Sequence, residues 1–150
     1  MMKSRLFFCF SLLSYSLVFL TGCPGYGDVL LLDKEAVVSM VGENVCFWVY
    51  DSAKHKPSII TITQRGSEFG REKFTIDPPL ILIDDKWCIT PNFYIFPDKG
   101  QFIVSYSLPN DSLDGRPQRV VSGVEVSNGN VHNFHLTDME IIRPYSEMDR

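Results

Sequence analysis

Apolar positions follow two different rules along this chain. Leu6 to Leu20 form one apolar stretch, interrupted only by small hydroxyls and one tyrosine. Beyond the cluster Val29-Leu30-Leu31-Leu32, apolar residues come in short runs rich in β-branched and aromatic types, each stopped by Gly, Pro, Asn or Asp. That punctuation predicts strands joined by tight turns. Strands are predicted at 37–41 and 45–50 around Gly42-Glu43-Asn44, at 58–63 after Pro57, and at 73–76 before Asp77-Pro78-Pro79. Residues 80–83 and 86–90 read as a hairpin around Asp84-Asp85, and Pro97-Asp98-Lys99-Gly100 as a turn into an alternating strand at 101–108. Residues 110–117 collect Asn, Asp, Ser, Gly and Pro and are read as a loop. Asn128-Gly129, between 119–127 and 130–136, is the strongest hairpin signal, because both central residues of such a turn need positive φ. Thr137 and Glu140 have capping-box spacing, which predicts one helical turn ended by Pro144.

Eight or nine short strands with regular turn signals predict an all-β chain, a single antiparallel β-sandwich of immunoglobulin-like general architecture. Of the four cysteines, Cys9 lies in the first apolar stretch and Cys23 follows it, which leaves Cys46 and Cys88. Two cysteines in an oxidising compartment most simply form a structural disulfide. In the immunoglobulin manner, that bridge would pin two sheets together. Trp48 comes only two residues after Cys46, and Lys86 stands where a corner tyrosine belongs, so the sandwich is predicted without that strand order.

Two positive charges, Lys3 and Arg5, precede the apolar stretch, and Leu20-Thr21-Gly22-Cys23 closes it. A stretch of about 15 residues is short for a helix that needs about 20 to cross the bilayer, so a cleaved export signal fits better. The last four residues resemble the lipobox of bacterial lipoproteins. That resemblance implies cleavage before Cys23, a diacylglycerol on its thiol and a fatty acyl group such as palmitate on its amine. Each buried CH₂ adds about 0.8 kcal/mol of membrane affinity, so several chains anchor stably. The expected organisation is a signal peptide at 1–22, a lipidated N-terminus and tether at 23–33, and a β-sandwich domain at 34–150. Pro24, where an Asp would favour the inner membrane, points to the outer membrane.

Removing Lys3 and Arg5 leaves 12 basic residues against 18 acidic ones, a formal charge of −6. No basic patch invites nucleic acid. His132 and His135 are three apart in a predicted strand and face opposite sides, one at the surface and one packed, so they do not share a metal. His55, between Lys54 and Lys56, reads as solvated, and Asp84-Asp85 as turn chemistry. There is no nucleophile elbow, zinc-protease motif or phosphate loop. The chain is therefore read as a non-enzyme without cofactor or metal. Binding has better candidates. Phe93-Tyr94-Ile95-Phe96, between Pro91 and Pro97, reads as a half-buried strand with Tyr94 and Phe96 on one face as candidate partner anchors. The loop carrying Asp111, Asp114 and Arg116 is a candidate adaptable binding loop, and so is 54–56.

Three blocks carry a family resemblance: Gly42-Glu43-Asn44-Val45-Cys46-Phe47; Cys88-Ile89-Thr90-Pro91 leading to Tyr94-x-Phe96-Pro97-Asp98-x-Gly100-x-Phe102; and Asn133-Phe134-x-Leu136-Thr137-Asp138 with Glu140-Ile141 and Arg143-Pro144-Tyr145. They resemble the type VI secretion immunity periplasmic lipoproteins of enterobacteria. The resemblance implies an antidote that binds a periplasm-acting protein toxin and neutralises it by steric occlusion with electrostatic steering, without catalysis. Two other readings fit the residues. One is a structural or assembly lipoprotein of the envelope. The other is a lipoprotein lysozyme inhibitor, whose acidic surface suits a basic enzyme.

Overall fold

The computed structural model describes residues 31–50, 55–68, 72–109 and 115–148, and its strands meet at turns the sequence specifies. Asp84 and Asp85 take φ of 45° and 60°, and Asn128 and Gly129 take 52° and 76°. Both pairs make two-residue hairpins whose backbone twist matches the flanking strands. At the first hairpin only Gly42 has positive φ, 61°. Asn44, expected in that turn, instead opens the following strand and donates its side-chain amide to the Val41 carbonyl at 3.1 Å.

The strands are β1 (Lys34–Glu35), β2 (Val37–Val41), β3 (Asn44–Trp48), β4 (Ile59–Gln64), β5 (Lys73–Ile76), β6 (Ile81–Ile83), β7 (Lys86–Ile89), β8 (Lys99–Leu108), β9 (Gln118–Ser127) and β10 (Asn130–Asn133). They form an all-β sandwich of two sheets. One has the order β1-β9-β8-β4-β5 with β10 also on β9, and the other has the order β2-β3-β7-β6. All pairings are antiparallel except β1 on β9. β1 and β10 share one edge of β9, β1 at Val120 and Val121 and β10 from Val124 to Ser127. Between the sheets, Ile60 and Ile62, the alternate β8 residues Phe102, Val104, Tyr106 and Leu108, and Val120, Val124 and Val126 pack in one core with Val38, Val45, Phe47 and Ile89. Each such side chain contributes roughly 1.5–3 kcal/mol when fully buried.

The disulfide is present, but not where an immunoglobulin-like reading puts it. Cys46 and Cys88 face each other directly across the β3–β7 pair. Their neighbours Val45, Phe47 and Ile89 belong to the core cluster, and Trp87 packs against it. Strand alternation therefore places the cystine on the other face of the four-stranded sheet. It links two neighbouring strands of one sheet and does not pin the sheets together. Between the two cysteines the chain leaves for the β4–β5 hairpin in the opposite sheet and returns through β6.

The strand predicted at 130–136 ends early. After Asn133 the chain turns over the outer face of the six-stranded sheet, where Phe134, Leu136 and Ile141 bury against Val121 with Ile103 alongside. Gly123 permits this close approach: the Phe134 amide donates to its carbonyl at 3.2 Å, and a Cβ there would lie 2.6 Å from the Phe134 oxygen. The capping-box pair makes a single turn at 138–140 and no helix. Pro144 precedes a short 3-10 turn, Tyr145–Glu147, where it was expected to end a helical turn. Beside the end of this arm, the Asp33 side chain is almost fully buried. It accepts from the Ile142 amide at 2.8 Å and from Arg119 at 2.8 Å. Among the described residues, no helix is long and apolar enough to cross a membrane.

Candidate functional site

The aromatic run after β7 is not a strand. Pro91 and Pro97 have no N–H to give to a ladder, and the Phe93 and Tyr94 amides both donate to the Thr90 carbonyl, at 3.0 and 3.1 Å. The chain turns at 91–93 and then runs irregularly to β8. Alternation survives locally. Tyr94 and Phe96 meet edge to face at 4.8 Å between ring centroids, and Phe96 meets Phe102 of the core at 5.3 Å. Both rings are half-buried against the core, and burial pushes the Tyr94 hydroxyl above its ordinary pKa. Ile95, between them, is 76% exposed. Of the three, Ile95 is therefore the side chain presented to solvent. The same alternation that put Tyr94 and Phe96 together would have pointed to it.

These residues open onto a cleft of about 130 Å³ at one end of the sandwich. Met40 and Val45 form one wall and Val126 and Val131 another, with Ile89, Tyr94 and Phe96 between them. The Asn128 amide donates to the Asp98 carbonyl at 3.2 Å, which fixes the 90–98 connection to the β9–β10 turn. Glu43, from the β2–β3 turn, and Asp98 line the same cleft, and both are exposed. The volume is below the ~300 Å³ typical of small-molecule sites and suits an apolar side chain. The cleft thus offers apolar walls and two carboxylates, beside one protruding aliphatic residue.

The remaining candidates are placed elsewhere or lie outside the described residues. Arg116 is half-buried and engaged with neighbours. Asp111, Asp114, Lys54 and Cys23, the expected lipidation site, lie outside the described residues. His132 and His135 are both exposed, where one was expected to be packed. The chain changes face after Asn133, so the strand alternation that separated them does not reach position 135. Among the described residues, no group of three or more His, Cys, Asp or Glu is placed to hold a metal ion.

A family model described as "Domain of unknown function (DUF7480)" matches residues 33–129. The matched span runs from the buried Asp33 through both bridged cysteines and the aromatic connection to the Asn128-Gly129 turn. No curated protein and no solved structure matches the chain.

Proposed function

We propose that this chain, which belongs to the DUF7480 family, is a lipid-anchored, periplasm-facing immunity protein that binds and neutralises a protein toxin, a type VI secretion effector. One observation carries the binding half of this reading. Ile95 stands exposed beside an apolar cleft, with Glu43 and Asp98 at the same end of the sandwich. An apolar centre with a charged surround is the anatomy of a protein-binding surface. The carboxylates steer a basic partner, and a preformed sandwich loses little conformational freedom on docking. Neutralisation is then occlusion of the toxin's active face.

The address rests on the sequence. Leu20-Thr21-Gly22-Cys23 supplies the lipobox, with Cys23 as the acylated residue, and Pro24 after it favours the outer membrane. The Cys46–Cys88 bridge suits an oxidising compartment. The test is rescue of cells making a periplasmic toxin encoded beside this chain. The natural chain is expected to protect, and Ile95→Arg to lose protection with its amount and thermal unfolding unchanged. Failure of the natural chain against that toxin sinks the reading. Since the same carboxylates also suit a basic cell-wall hydrolase, a lysozyme inhibition assay separates that alternative.

A further inference from the structure

A second apolar surface lies where the described domain begins. Trp48 is 44% and Tyr50 80% exposed, and Leu32 and Val37 are exposed as well. Val37 and Trp48 are cross-strand partners in the β2–β3 hairpin. Trp48 and Tyr50 line a shallow open hollow together with Lys34 and Glu35 of β1. Leu32 is two residues upstream of Lys34, and the Gln118 side chain holds its carbonyl at 2.8 Å. The chain therefore enters the domain at this surface.

The length of that entering chain decides what can cover the surface. Eight residues separate Cys23 from Leu32, and fully extended they reach at most about 30 Å. We infer that, in the protein tethered through Cys23, this face rests on the headgroup layer of the anchoring membrane, with Trp48 and Tyr50 seated in the interface. The inference rests on the lipoprotein reading. Trp and Tyr favour the membrane–water boundary because one end of each ring system is apolar and the other polar. Lys34 and Glu35 offset each other, so the hollow repels neither zwitterionic nor anionic lipid. A short tether raises the local concentration of surface so far that weak adhesion suffices. Val37 and Trp48 sit at the open end of the β2–β3 hairpin, while Glu43 of the cleft sits at its turn. The cleft therefore lies about 17 Å along the strands from the seated residues.

The test uses the full chain, processed in its own envelope and reconstituted into phosphatidylethanolamine–phosphatidylglycerol vesicles with brominated acyl chains. Mass spectrometry first records whether the protein carries lipid. Tryptophan emission is then compared between the natural chain and Trp48→Phe, whose remaining Trp87 packs against the core. Lipidated natural protein is expected to lose emission to the brominated chains, and Trp48→Phe to keep it. Equal quenching in both proteins, or none in either, with lipid present overturns the inference and leaves the lipoprotein reading standing. A mass without lipid overturns that reading and the inference with it.

Discussion

Asn133, an exposed residue, and Tyr106, a buried one, both carry polar groups inside the domain's framework, yet the physics assigns them opposite weights. Asn133 sits where the chain crosses from one sheet to the other between β1 and β2. Its Oδ1 accepts from the Val38 amide at 2.8 Å, and its Nδ2 donates to the Ala36 carbonyl at 2.9 Å and to the Ser122 hydroxyl at 3.1 Å. Removing it leaves the Val38 amide without its acceptor. Asn133→Ala is expected to lower stability by about 1–3 kcal/mol, seen as a lower urea midpoint at unchanged slope. An unmoved midpoint would refute that role. The Tyr106 hydroxyl is buried without a hydrogen-bond partner among the described residues, while its ring meets Phe47 at 6.1 Å. Burial holds its pKa far above the usual tyrosine range. Deleting an unpartnered hydroxyl removes a desolvation cost, so Tyr106→Phe is expected to match or exceed the natural stability by up to about 1 kcal/mol. A loss larger than that in thermal or urea unfolding would show a partner the geometry does not. Neither role was legible in the sequence. Asn133 reads there as an ordinary member of a continuing strand, and Tyr106 as an ordinary alternating core position.

Strands and hairpins were the legible elements, because each is specified within a few residues. Asp77-Pro78-Pro79 stops β5, and Asn128-Gly129 sets the register of β9 and β10. The C-terminal arm was not legible, because a distant residue creates it. Phe134 leaves the strand direction only because Gly123, on a neighbouring strand, gives it room. The arm is closed by Glu140. Its carboxylate accepts from Arg65 Nε at 2.8 Å and from the other guanidinium arm at 3.0 Å, and from the Thr137 amide at 2.8 Å. Arg65 also lies over the Phe134 ring at 4.6 Å. Burial alone would raise the Glu140 pKa, but the Thr137 and Arg65 hydrogen bonds outweigh it and bring it below the ordinary 4.5. A carboxylate with a lowered folded-state pKa contributes stability that is complete above its unfolded value and disappears as pH falls through the folded one. The natural chain is therefore expected to lose stability on acidification from about pH 5 downward more steeply than Glu140→Gln. Parallel pH profiles of the two proteins in thermal unfolding would remove Glu140 from the account.

At the scale of the whole molecule, composition and turn spacing reveal a disulfide-bearing sandwich but not its wiring. A cysteine pair carries no information about whether its strands share a sheet, and β1, two residues long and parallel to β9, is too short to leave a pattern. The wiring changes what the bridge does. An inter-sheet cystine is part of the core, so its removal loosens the packing. Here the cystine is fully buried, on the face of the four-stranded sheet opposite the inter-sheet cluster, and joins the two ends of the segment that leaves that sheet, builds β4 and β5, and returns. Its main effect is on the unfolded chain, where it closes a loop with a sequence separation of 42. The chain-entropy model values a loop of this length at about 4 kcal/mol. Replacing both cysteines by alanine, which introduces no buried hydroxyl, is expected to lower stability by ~2–5 kcal/mol. The mechanism has its own signature in denaturant. Freed of its cross-link, the unfolded ensemble exposes more surface, so the midpoint should fall while the slope rises. Reductant should move the natural chain toward the same values and leave the double variant unmoved. A fall in midpoint with no rise in slope would mean that the bridge braces the folded sandwich after all.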